Sequence, residues 1–129
     1  MNVKELRGGN IIKHIYSDKD YSEVIGYDYE YVYLNEVTFD YVNHSDIEPI
    51  LLTEEWLLKF GFETRVTSGH SVQYFIGINP ITRDWLFDIL WLEGYKYPFY
   101  RNGHFEIQYL HQLQNLYFAL TNEELTYDL

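Results

Sequence analysis

The sequence predicts an α+β fold built as one compact domain over residues 1–129. It reads as N-terminal bent antiparallel strands in a barrel-like arrangement, a short helix, a three-stranded antiparallel sheet and a C-terminal helix. Three observations carry that prediction. Period-two alternation recurs in short segments, as in Tyr29-Glu30-Tyr31-Val32-Tyr33-Leu34 and Val72-Gln73-Tyr74-Phe75-Ile76. A capped helix start stands at Thr53, and apolar residues recur at helical spacing from Leu113 to Leu120. With 47% hydrophobic and 19% aromatic residues, the chain can bury a core, which aromatic-poor disordered chains cannot.

Taken in order, residues 5–50 form a strand-rich acidic part, with strands expected at 11–16, 22–27, 29–34 and 37–42. In 29–34 the tyrosines share one half-exposed face, and Val32 and Leu34 point inward. Strands so closely spaced imply a small, strongly bent sheet. Arg7-Gly8-Gly9-Asn10 ahead of the first strand reads as a turn, with an anion-binding nest as the rarer alternative.

Residues 53–125 form a helix–sheet–helix part. Thr53 is the N-cap, Glu54 and Glu55 suit the positive end of the helix dipole, and Leu52 and Leu57 have staple spacing. Gly61 supplies a left-handed stop, and Trp56, Leu57 and Phe60 must face a core. A strand over 72–79 breaks at Asn79-Pro80. Residues 84–92 fit a strand, with Trp85, Phe87, Ile89 and Trp91 on one face and Asp84 and Asp88 on the other. They also fit a helix capped by Thr82 and ended by Gly94. The clean alternation, and the preceding strand's need for a hairpin partner, favour the strand. Asn102-Gly103 is a strong hairpin turn leading into a strand over 104–109. In the last helix Leu113, Leu116, Tyr117 and Leu120 form a core face that supports Trp56, Leu57 and Phe60. His111, Asn115 and Phe118 form a second stripe that packs on the sheet or on another subunit, which leaves a homo-oligomer open. Thr121 and Glu124 have the spacing of a capping box for a final turn.

The charge is concentrated. Residues 18–55 carry eleven acids against one base, Lys19, and so −10 of the net −11; six of the fourteen tyrosines fall in the same stretch. Such a field repels phosphate backbones and attracts basic surfaces. The partner expected is therefore a protein with a basic surface, rather than nucleic acid. The residues that would meet it are Asp28, Glu30, Tyr31, Glu36 and Asp40. An acidic surface that only confers solubility is the plainer reading.

Catalytic signatures are missing. With no cysteine there is no disulfide, thiol nucleophile or Cys-ligated metal, which suits a cytoplasmic protein. The five histidines are isolated, apart from His44 beside Asp46, so no metal site and no cofactor are expected. Neither phosphate-binding glycine loops nor a nucleophile elbow appears. Asp84 and Asp88 share a face, but spacing alone makes them surface carboxylates before it makes them a general acid–base pair. The chain reads as a non-enzymatic binding protein; a hydrolase is a weaker alternative. No apolar run reaches the length of a membrane span, and residues 1–5 lack an export signal, so no membrane partner is expected. A second binding reading rests on the loop GYKYPFYRNGH at 94–104. There Tyr95, Lys96, Tyr97, Tyr100, Arg101 and His104 interleave rings with cations and would grip a nucleotide-like small ligand, sequestering it without turnover. A hairpin whose rings complete the core is the alternative to any binding role.

Three stretches, Glu5-Leu6-Arg7-Gly8-Gly9-Asn10, the run at 47–62 (IEPILLTEEWLLKFGF) and the run at 109–125 (YLHQLQNLYFALTNEEL), together resemble a family of small uncharacterised proteins of gut Bacteroidota, their phages and mobile elements. That family usually has an aliphatic residue in place of Gly8 and glycine in place of Asn122. The resemblance implies no reaction, substrate or cofactor. It implies a phage or mobile-element setting in the host cell cytosol, and with it a counter-defence role.

Overall fold

The computed structural model describes residues 1–67, 69, 71–78, 85–101 and 105–127. The fold is α+β and mostly sheet, and the chain divides into two compact units. Unit 1 joins Met1–Leu51 to Tyr109–Glu124, and unit 2 joins Leu52–Gln108 to Leu125–Leu129. Unit 1 contains β1 (Ile11–His14), β2 (Ser22–Tyr27), β3 (Tyr31–Leu34), β4 (Tyr41–Asn43), β5 (Ile47–Glu48) and the helix α2 (Leu110–Thr121). Unit 2 contains the helix α1 (Glu54–Lys59) and β6 (Glu63–Val66), β7 (Val72–Ile78), β8 (Trp85–Trp91), β9 (Phe99–Tyr100) and β10 (Phe105–Glu106). No helix among the described residues is long and apolar enough to cross a membrane.

The first sheet is antiparallel in the order β4-β3-β2-β1-β5. Its two edge strands, β4 and β5, are separated in the chain by a single 3-10 turn, His44–Asp46. A link of that length spans at most about 14 Å. The sheet must therefore curl until its edges approach. It stops short of closing, because β5 is two residues long and pairs with β1 (Lys13 with Glu48, His14 with Ile47), and β4 pairs with β3 alone. The expected barrel-like arrangement is thus a curled open sheet. Every strand turns an aliphatic residue into the curl: Ile12, Val24, Val32, Leu34, Val42 and Ile47 pack with Leu6 into one core, flanked by Val3 and Phe39. Gly8 is required here: a Cβ would stand 2.8 Å from the Ile25 carbonyl oxygen, which leaves no room for an aliphatic side chain. The turn it belongs to is a turn and not an anion nest, because the Gly9 N–H donates to the Val24 carbonyl and the Asn10 N–H to that of Arg7.

Helix α2 belongs to unit 1 rather than to the second sheet, where the sequence placed it. Amide side chains explain the change. Gln114 accepts from the Ile11 N–H at 2.8 Å and donates to the Gly9 carbonyl at 3.0 Å. Asn115 accepts from Asn10 at 2.8 Å and from the Arg7 guanidinium at 3.2 Å, and donates to the Glu5 carbonyl. Arg7 also pairs with Glu124 and lies 4.2 Å over the Phe118 ring. The buried face is Leu110, His111, Leu113, Gln114 and Tyr117, so the predicted stripe is rotated: Leu116 is half-buried and Leu120 is 53% exposed. Helix α1 belongs to unit 2 and α2 to unit 1. Among the described residues no helical turn follows α2. Thr121 donates back to the Tyr117 carbonyl, Asn122 takes a left-handed conformation (φ 59°), and Glu124 turns to Arg7.

The second sheet is wider than three strands, with order β10-β9-β8-β7-β6. Residues 85–91 are a strand, paired along their length with β7. Thr53 caps α1 by accepting from the Trp56 N–H. At the far end Gly61 sits at φ +86°, and the bonds Gly61 N–H to Leu58 O and Phe62 N–H to Leu57 O close a Schellman motif. Leu57, Phe60, Phe62, Phe87, Ile89 and Ile107 are buried. The breaker at Asn79-Pro80, Thr82 and the Asn102-Gly103 turn lie outside the described residues.

Candidate binding face

The hairpin between β2 and β3 is set by Asp28. Its Oδ1 accepts from the N–H groups of Glu30 (2.8 Å) and Tyr31 (2.7 Å), and its Oδ2 from the Tyr33 hydroxyl. Its backbone carbonyl bonds His44 Nε2 at 2.8 Å. Side-chain carboxylates that close a turn in this way compete well with regular backbone pairing, and they fix the loop. The Tyr33 hydroxyl, followed by the two backbone donors, holds the Asp28 carboxyl below the usual range.

Strand pairing then assembles the face. Tyr33 stands opposite Tyr41 and Tyr31 opposite Asn43, all directed away from the core to which Val32 and Val42 belong. Tyr31 and Tyr41 meet edge to face at 4.9 Å. The charge of Glu30 raises the Tyr31 phenol, and the hydrogen bond to Asp28 raises that of Tyr33, so both stay protonated donors at neutral pH. Tyr41 is 54% exposed, and Tyr27 and Tyr29 extend the surface at the turn. Among the described residues, no lysine or arginine forms an ion pair with Asp28, Glu30 or Asp40.

Of the five residues predicted to meet a partner, Asp28, Glu30 and Tyr31 come together at one end of the hairpin, and Asp40 is exposed beside Tyr41. Glu36 leaves the set. Its side chain is only 4% exposed and points at His14, with Oε2 4.0 Å from Nδ1, while Oε1 accepts from Ser17 at 3.1 Å. Tyr33 and Tyr41, not predicted, complete the face. The alternation 29-31-33 already marked Tyr33, whereas Tyr41 needed the β3–β4 register.

The residues of the 95–104 loop are put to separate uses. Tyr100 stacks on Phe87 at 5.0 Å, Tyr97 accepts from Gln108, and Lys96 lies over the Tyr97 ring. Arg101 is directed at Asp88, 3.5 Å away. Tyr95 is exposed, and His104 lies outside the described residues. Asp88 is not on a solvated face: it is buried and accepts from Gln73 at 2.9 Å, and Gln73 in turn accepts from Arg65. Asp84, its proposed companion, lies outside the described residues. No group of three or more acids or histidines converges into a metal site among the described residues.

Chemically, the β2–β4 face offers carboxylates and phenols without a nucleophile poised against a base. It is suited to gripping cations and apolar side chains. Compared with known proteins, the chain matches no family model, no curated protein and no solved structure.

Proposed function

We propose that the protein is a non-enzymatic binding protein that occupies a basic protein surface with the outer face of β2, β3 and β4. The observation that carries this reading is the outward-facing trio of half-buried Tyr31 and exposed Tyr33 and Tyr41, set on the Asp28-closed hairpin beside Asp28, Glu30 and Asp40, with no cation among the described residues bridging those acids. Aromatic anchors give affinity at low entropic cost, and unneutralised carboxylates give steering and selectivity for lysine and arginine. A groove evolved for phosphate backbones presents that complementary surface. In the phage or mobile-element setting that the sequence resemblance implies, the role would be counter-defence in the host cytosol.

The test is capture of partners from host lysate by the parent protein and by a Glu30→Lys, Asp40→Lys, Tyr41→Ala variant. All three positions are exposed, so the variant should fold. The parent should retain a basic partner whose binding weakens as salt rises. Equal capture by the variant would remove this face from the function.

A further inference from the structure

We propose that unit 2 carries a binding site for a small alkylammonium cation, in the open pocket between the start of α1 and the end of β8. The pocket holds about 310 Å³, at the small end of ligand sites, and none of its described lining residues belongs to the β2–β4 face. Its floor is Tyr74 and its walls are Trp91 and Tyr95, with the carboxylates of Glu54 and Glu93 on the lining. The Tyr74 and Trp91 ring centroids are 6.3 Å apart and tilted by 60°, a spacing that lets one cation lie within about 6 Å of both.

The walls are fixed before any ligand arrives. Trp91 Nε1 donates to the Tyr95 carbonyl at 3.0 Å, the Tyr95 N–H closes a turn on Leu92, and Gly94 holds the left-handed conformation that turn requires. The charge is one-signed. Among the described residues no lysine or arginine lines the pocket, and the neighbouring Lys96 is turned onto the Tyr97 ring. Burial, with the adjacent Glu54 charge, pushes the Tyr74 phenol up to about 12, so the floor stays neutral. Aromatic faces with two carboxylates and no donor cation repel a nucleotide and favour an organic cation, whose weakly hydrated alkyl groups lie against the rings.

The aromatic lining commits the pocket to a free, weakly hydrated quaternary ammonium rather than the strongly hydrated primary ammonium of a lysine presented by a protein. The test follows the three tryptophan indole N–H resonances during titration with choline, and in parallel with its neutral isostere 3,3-dimethylbutanol, at constant ionic strength. The Trp91 signal, assigned by its loss in Trp91→Phe, should move saturably with choline and little with the alcohol. Tyr95→Ala and Glu93→Gln alter exposed residues and should keep the parent melting temperature. Each should weaken choline by about two- to fivefold, the effect of losing one exposed cation–aromatic or charge contact. Equal response to the alcohol would show an apolar dimple without cation preference. No movement of Trp91, or unchanged binding in both variants, would also overturn the site. Tighter binding of a lysine-bearing peptide than of choline would overturn the commitment to a free cation. None of these outcomes depends on the β2–β4 face.

Discussion

Glu30 and Glu36 carry the same carboxylate six residues apart and should respond differently to its removal. Glu36 is enclosed with His14 and Ser17, and His14 packs edge to face on Phe39 at 4.6 Å. Its loss removes the acceptor of the part-buried Ser17 hydroxyl and the carboxylate that faces His14, so Glu36→Ala should cost about 1–3 kcal/mol in urea unfolding. Glu30→Ala, on the surface, should stay within about 0.5 kcal/mol. Matching midpoints would show that the enclosed carboxylate contributes nothing. His111 sets a pH dependence. Burial lowers its folded-state affinity for protons, and Glu5, 3.9 Å away, opposes this only in part. The unfolded chain then binds the extra proton first. Stability should be level above the ordinary value of 6.5 and fall as pH drops below it toward the depressed folded value. His111→Gln should flatten that part of a melting-temperature profile; an unchanged slope would assign the acid sensitivity to other groups.

On α2 the prediction separates two leucines. Leu113 is fully buried and Leu120 is mostly exposed. Leu113→Ala should cost about 2–5 kcal/mol, and Leu120→Ala under about 1 kcal/mol. Comparable losses would restore the face expected from leucine spacing alone. That face was misread for a physical reason. Periodicity counts apolar residues, and here part of the buried stripe is polar: Gln114 and His111 are interior, Gln114 because it satisfies the backbone of Gly9 and Ile11. Elements with local signals were legible. The Thr53 cap, the Gly61 stop, β2 at its full extent and the strand at 85–91 all follow from alternation or capping chemistry. Strands defined by their neighbours were not. β6 (Glu63–Val66) is exposed throughout, and β9 is two residues long, so neither leaves a period to read. The same holds for the sites. The tyrosine alternation marked half of the β2–β4 face, whereas the acid-lined pocket joins Glu54 to Trp91 and Glu93 through tertiary contact alone.

For the whole molecule, the division of the chain makes Leu52–Gln108, the greater part of unit 2, an insertion into the sequence of unit 1. Leu51 and Tyr109 form an antiparallel bridge, and the Leu110 N–H donates to the Ile50 carbonyl at 2.8 Å, so the points of departure and return are adjacent. A chain carrying residues 1–51 joined by a short turn to 109–124 should therefore melt cooperatively. Residues 1–51 alone, with every strand of the first sheet but no α2, should not. A cooperative transition in residues 1–51 alone would mean that the amide contacts of α2 decorate a sheet that stands without them.

The hydrogen bonds between Arg7, Asn10 or Ile11 and α2 span 103 to 108 residues of chain. A ribosome adding about 5–20 residues per second finishes β1 roughly 5–20 s before it makes the helix that covers it. Through that interval the nascent chain holds Ile11 and its backbone N–H without their final partners, as a template for any strand that passes. A chain released before residue 114 leaves the Ile11 N–H without the Gln114 oxygen that satisfies it, so the oldest strand of the sheet waits on one of the youngest side chains.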